Sequence, residues 1–322
     1  MEKYGGMLIN FKNKKNIGIY LILFLSIFFT LSLSAQGELS LILEKKLTEK
    51  VEKLLEDSPA VTGFMAVDLT TGKKFSHNAD ISFPQASAIK IPILMEVCAQ
   101  FEEGRFELSD ERKISPENIV GGTGIIKYLS NSPVFSIEEL SNLMIVLSDN
   151  SATNSLIDLV GMSEVNRRLN SLGIEKTILQ RKMINTAASG RGEENLSTPA
   201  DAVEILKTLY AGDFVNETTS KKIIEILKKT EPSDSRLAVG IPAEVPMAFK
   251  TGFLNGVSTE WAIVFLNERP YAIAVMESFK VEGESEEIVE RLSAIIFQHF
   301  WKLGNATEYG TYIDPKLIEK GL

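Results

Sequence analysis

Residues 257–278 read VSTEWAIVFLNERPYAIAVMES, two runs of aliphatic, β-branched and aromatic residues broken by the turn Asn267-Glu268-Arg269-Pro270. A charged break with a proline ends one strand and starts the next, so Val257–Asn267 and Tyr271–Ser278 are expected to pair as antiparallel strands. A further strand is expected just before them, over Pro246–Thr251. Near the other end of the chain, Val61–Leu69 and Lys74–His77 flank Thr70-Thr71-Gly72-Lys73, a second hairpin signal. Between these strand regions the hydrophobic period is helical, interrupted by Gly121-Gly122-Thr123-Gly124 and by an irregular stretch at 181–198. Residues 38–56 (Leu43, Leu47, Val51, Leu54) and 284–302 (Ile288, Leu292, Ile296, Phe300) carry apolar positions at helical spacing. Strands at both ends with helices between them predict an α+β sandwich. Its antiparallel sheet is built from both chain ends, flanked by helices, and carries an inserted all-helical lobe. The expected division is 36–83 with 200–302 as the α/β lobe, 84–199 as the helical lobe, and 303–322 as a polar C-terminal tail. A cleft between the lobes is the natural place for a site.

The first 35 residues differ from the rest. Lys3, Lys12, Lys14 and Lys15 precede an apolar run from Ile17 to Leu33, and small residues Ser32, Ser34 and Ala35 follow. That is the layout of a signal peptide cleaved near Ala35, which predicts an exported protein, periplasmic or secreted. An uncleaved membrane anchor is the rival, since the run approaches spanning length. Removing residues 1–35 takes the formal net charge from −9 to −12, which argues against a nucleic-acid partner. The single cysteine, Cys98, excludes an intrachain disulfide and sits in an apolar helical stretch, where packing is expected. Two histidines, His77 and His299, leave no multi-histidine metal site, and neither lies near a nucleophile motif. A serine hydrolase built on this chain needs a base other than histidine. No metal and no cofactor are expected.

Three short strings carry the chemistry: Ser87-Ala88-Ile89-Lys90, Ser148-Asp149-Asn150 and Lys250-Thr251-Gly252. Ser87 and Lys90 share a face if their segment is helical. A serine hydroxyl attacks only when something takes its proton, and a lysine made neutral by burial or a nearby cation such as Lys250 can do so. Pro92 is expected to distort or limit that helix. Ser148 can relay a proton and Asn150 can hold Lys90 and a substrate amide, but Ser, Asp and Asn are also good helix caps. Lys250 and Thr251 can bind a carboxylate, with Gly252 letting a ligand approach the strand; a plain strand end is the alternative.

All three strings in this order and spacing resemble the class A β-lactamases and their penicillin-binding relatives. The likeness runs from about residue 40 to 302 and includes Phe83-Pro84, the Gly121–Gly124 turn and Ser197-Thr198-Pro199. It implies that Ser87 is the nucleophile, Lys90 its activator, Ser148 the shuttle, and Lys250 with Thr251 the carboxylate site. The N–H groups of Ser87 and Phe253 would form the oxyanion hole. The chain departs from that pattern in the 181–198 loop. Met183 stands where the deacylating glutamate is expected, and Asn195 where an aspartate would pair with Arg181. Glu193 and Glu194 are expected to be solvated loop charges. Phe253 is bulkier than the small residue usual after Lys-Thr-Gly. The resemblance implies a monomeric serine β-lactamase acting through acyl-Ser87; the leader adds export, and the departures at 181–198 predict slow clearance of that intermediate. Two other readings stand beside it: a penicillin-binding D,D-peptidase or esterase acting on D-Ala-D-Ala-like peptides, and a non-enzymatic sensor of β-lactams or cell-wall fragments.

Overall fold

The computed structural model describes residues 38–129, 132–281, 286–307 and 309–312. The expected leader and the last ten residues of the expected tail lie outside them. Residues 47–305 form one compact unit. Its centre is a five-stranded antiparallel sheet in the order β2-β1-β9-β8-β7. The strands are β1 (Val61–Asp68), β2 (Lys74–His77), β7 (Met247–Leu254), β8 (Val257–Val264) and β9 (Tyr271–Ser278). The first and last hairpins therefore meet, since Val61 pairs with Ser278 and Asp68 with Tyr271 along the whole β1–β9 ladder. β7 runs to Leu254, past the expected end at Thr251, because residues 252–254 keep pairing with Thr259, Ser258 and Val257 across a tight hairpin.

Side chains alternate across a strand, so each face of the sheet buries its own apolar set. Phe64, Phe249, Ala262 and Ile273 face one way and pack with Leu47, Val51 and Leu54 of α1 (38–56), and with Leu292, Ile296 and Phe300. The last three belong to α10 (Glu286–Asn305). Met65, Ala248, Trp261 and Ala274 face the other way, into a larger core shared with the inserted helices. These are α2 (Lys90–Glu102), α3 (Ile137–Val146), α4 (Asn150–Val160), α5 (Met162–Ser171), α7 (Pro199–Ala211) and α8 (Glu217–Leu227); the short α6 (Thr186–Gly190) lies in the 181–198 loop. α7 lies on β1, β8 and β9, whereas α8 touches α2 and α3 as well as β7. Two two-stranded ribbons tie the insertion together: β3 (Phe83–Pro84) with β6 (Leu196–Ser197), and β4 (Glu111–Lys113) with β5 (Val134–Ser136). A one-turn helix, α9 (Arg236–Val239), closes the side of β7 and β8 that faces α10.

Candidate active site

The segment after β3 turns sharply. Ala86 takes a left-handed φ of +45°, a conformation that costs a non-glycine residue about 1–3 kcal/mol and persists only when its surroundings hold it. Ser87 follows within one turn of 3₁₀ helix, Ala86–Ile89, which runs straight into α2 at Lys90. Residues i and i+3 eclipse in a 3₁₀ turn, so Ser87 and Lys90 stand on one side. Pro92 does not limit the helix as expected. It is the third residue of α2, where its missing N–H belongs to the unpaired first turn, and α2 continues to Glu102.

Lys90 is 0 % exposed. Its Nζ donates to Ser148 O (2.7 Å), Ser148 Oγ (3.1 Å) and Asn150 Oδ1 (3.0 Å). The turn that offers these groups is built by Ser148-Asp149-Asn150, and the cap reading holds at its middle residue. Asp149 caps α4, accepting from the N–H groups of Ser151 and Ala152. Its other oxygen accepts from Ile125 N and Ile126 N, which anchors the glycine-rich turn beside α4. Ser148, with φ +51°, leaves the helix axis and presents its hydroxyl to Lys90. Gly122 and Gly124 are required here, because a Cβ on either would strike Asn150 or Asp149.

β7 supplies the opposite wall. A Cβ built on Gly252 would lie 2.6 Å from Gln85 O and 2.6 Å from Ser87 N, so the strand rests directly on the Ala86–Ser87 turn. Lys250 is buried and donates to Thr251 O at 2.9 Å. Burial pulls its pKa down to about 8, against the pull of Asp234 and Glu260. The Lys90 amine is driven well below the usual lysine range, first by burial and then by the positive charge of Lys250, with Asp149 opposing. A cleft of about 610 Å³ joins the two walls and is lined by Ser87, Asn150, Met183, Thr251, Gly252 and Phe253 among others. Each of the eight residues singled out in the three strings and at Phe253 is thus at one place: Ser87, Lys90, Ser148 and Asn150 on the helical side, Lys250, Thr251, Gly252 and Phe253 on β7.

The 181–198 loop forms the floor. Met183 is 6 % exposed and its backbone is pinned by Asn154, whose side chain accepts from Met183 N (2.8 Å) and donates to Met183 O (3.3 Å). Glu194 is not a solvated charge. Its Oε2 accepts from Arg181 Nη2 (2.7 Å) and Nε (3.1 Å), and Ser189 Oγ donates to its other oxygen. Asn195 turns inward, accepting from Gln180 N and Arg181 N and donating to Arg181 O. The carboxylate partner of Arg181 has therefore moved by one residue. Glu193 is half-buried and pairs with Arg191 at the loop surface.

Sequence reasoning missed two groups behind β7. Glu260, fully buried, accepts from Ser235 Oγ, Arg236 N and Leu237 N, and burial raises its pKa. Arg236 lies 5.3 Å from the Phe253 ring centre and donates to Ser258 Oγ at 3.4 Å. Nothing in the local string around Arg236 marks it, and only the pairing of Thr251 with Glu260 and of Phe253 with Ser258 brings it to this edge.

A serine on a strained turn, a buried low-pKa lysine, a second serine and a lysine-bearing strand edge define a serine acyl-transfer site of the penicillin-recognising kind. The chain belongs to the Beta-lactamase enzyme family, whose profile matches residues 46–300. An imipenem-hydrolysing β-lactamase of Enterobacter cloacae is 26 % identical over 74 % of this chain and 83 % of its own length. The crystal structure of a β-lactamase from Sphaerobacter thermophilus superposes with a TM-score of 0.71 at 27 % identity, covering 79 % of this chain and 96 % of that one. The structure of PBP-A shares the fold at a TM-score of 0.72 and 24 % identity, covering 79 % of this chain and 96 % of its own. The fold is that of class A β-lactamases and their penicillin-binding relatives, and the chain is a β-lactamase-like serine hydrolase.

Proposed function

We propose that the protein is an exported, monomeric serine hydrolase that opens β-lactams through an acyl-Ser87 intermediate and clears that intermediate slowly. The observation that carries this reading is the pairing of a complete acylation apparatus with Met183 on the cleft floor. A neutral Lys90 needs acceptors for only two N–H groups, and Ser148 O with Asn150 Oδ1 suffice. Its lone pair is then available to take the Ser87 proton as Oγ bonds to the lactam carbonyl carbon. The C–N bond breaks, and Ser148 passes a proton to the leaving nitrogen. Backbone N–H groups at Ser87 and Phe253 hold the oxyanion, while Lys250 and Thr251 hold the substrate carboxylate. Hydrolysis of the ester needs a base to activate water, and a thioether has no proton affinity to offer.

A second substrate, a D-Ala-D-Ala-like peptide, is favoured by one feature. β7 is the terminal strand of the sheet, so an extended peptide can add along its edge beside Ser87. Export is supported by the layout of residues 1–35. Rapid mixing with a chromogenic cephalosporin tests the reading. The expected trace is a burst of about one equivalent followed by a slow steady state. Fast linear turnover without a burst overturns slow release, and a burst retained in Ser87→Ala overturns the nucleophile.

A further inference from the structure

Gln85, two residues before Ser87, is 0 % exposed, and every polar group it carries is engaged. Its Nε2 donates to Phe83 O (2.8 Å) and Ser197 O (3.4 Å) and touches Met276 Sδ at 3.2 Å. Its Oε1 accepts from Trp261 Nε1 at 3.0 Å. Its backbone N–H donates to Asn195 O, and its carbonyl accepts from Ala88 N and from Thr259 Oγ1. One residue thus joins β3, β6, β8, β9 and the end of the 181–198 loop to the nucleophile turn. Trp261 and Lys250 are cross-strand partners, as are Thr259 and Gly252. Gln85 therefore lies over the two sheet rows that carry the Lys-Thr-Gly backbone.

We propose that Gln85 is a positioning residue for acylation: its amide, locked to Trp261, holds the strained Ala86–Ser87 turn at the spacing from β7 that the oxyanion site requires. The inference rests on Ser87 being the nucleophile. The turn has a reason to relax, since Ala86 is held at φ +45°. What stops it is a two-ended side chain that donates on one side and accepts on the other, which no apolar residue of that length can imitate. Trp261 is itself 0 % exposed, so losing Gln85 would orphan its indole N–H and pull the pair apart. Gly252 rests on Gln85 O and Ser87 N together, so a drift of this peptide unit opens or closes the gap where a carbonyl oxygen must sit. Lys90, Ser148 and Asn150 bond to one another and not to Gln85. Disturbing Gln85 should change where the oxyanion sits and leave the proton-transfer groups alone.

Wild type, Gln85→Met, Trp261→Phe, the double variant and Ser87→Ala would be mixed with benzylpenicillin. Stopped-flow and intact mass would separate the reversible Kd from the acylation rate constant, well below each Tm. Misplacing reacting groups by a fraction of an ångström to an ångström costs roughly 10- to 100-fold, the loss expected for Gln85→Met. Its Kd and the pH dependence of acylation should match wild type. Trp261→Phe should lose less, and the double variant no more than Gln85→Met, because both act through one bond. Lowered Tm with an unchanged acylation constant in the variants overturns the proposal and makes Gln85 a core residue only. If Gln85→Met fails to fold, Trp261→Phe decides by the same criterion. Acylation of Ser87→Ala, or none of wild type, refutes the nucleophile reading and this inference with it. An acylated wild type beside variants of equal speed refutes the inference alone.

Discussion

Met183→Glu should turn a slow acyl-enzyme into a faster hydrolase. Met183 lines the cleft that contains Ser87, and Asn154 fixes its backbone through reciprocal hydrogen bonds that the substitution leaves intact. Methionine and glutamate are both unbranched and of similar length, so the new carboxyl would enter the same space. At 6 % exposure its pKa should rise, since burial disfavours the charged form, which brings it closer to the neutral range where a general base works best. A positioned base contributes about 10²- to 10⁴-fold, equivalent to about 2.7–5.5 kcal/mol off the deacylation barrier. The gain has a stability cost of about 1.5–3 kcal/mol from losing the buried methionine, or a Tm lower by roughly 3–12 °C. The assay is decay of the acyl-protein mass after excess penicillin is removed, with cephalosporin turnover followed in parallel. A folded Met183→Glu protein whose acyl-enzyme persists as long as the parent's would refute the reasoning. So would a parent that already clears its acyl group as fast as the variant.

Three further outcomes follow from the same geometry. Acylation by a carboxylate-bearing penicillin should be bell-shaped in pH: the rising limb is Lys90 losing its proton from a pKa below the usual lysine range, and the falling limb near pH 8 is Lys250 losing the charge that binds carboxylate. The two lysines are coupled, so the limbs belong to the pair, and a rate flat from pH 6 to 10 would contradict this assignment. Gly252→Ala puts a methyl 2.6 Å from Ser87 N, so the acylation constant should drop by about 10²-fold or more from the displaced turn, measurable with the same stopped-flow signal. Glu194→Gln removes the carboxylate from the half-buried pair with Arg181 and should cost about 1–3 kcal/mol, read as a Tm lowered by several degrees and faster proteolysis within 181–198; an unchanged Tm would return Glu194 to the role of surface charge.

The sheet was legible because its strands are written as strands. Val257–Val264 and Tyr271–Ser278 are runs rich in aliphatic, β-branched and aromatic residues with one proline-containing break between them, the composition of strands buried on both faces. Three-residue errors at the C-terminal ends of β7 and α10, both of which run past their expected ends, reflect pairing and packing that no single-residue preference encodes. The gathering of Ser87, Lys90, Ser148 and Lys250 could be anticipated from motif order, since each string occurs on a distinct local structure. What could not be read were relations that only the tertiary fold creates. Glu194 looks like a loop charge until the chain reversal at 181–194 sets it against Arg181. Arg236 and Glu260 come to the site through the β7–β8 register, 14 and 8 residues from the nearest recognisable string. Gln85 reads as an ordinary polar residue before a serine, and its amide oxygen finds its donor in Trp261, arriving 176 residues later. Pro92 does not limit α2 because helix-breaking is positional and in a first turn there is no bond to break, although the turn just before it is 3₁₀ rather than α.

The most direct test of acylation with slow release is peptide mapping of the protein after brief exposure to benzylpenicillin, with intact mass followed over hours. The expected result is one adduct of the penicillin's full mass, confined to the peptide containing Ser87, absent in Ser87→Ala, and decaying far more slowly than it forms. An adduct on another residue, or rapid penicillin consumption with no adduct accumulating, would contradict it.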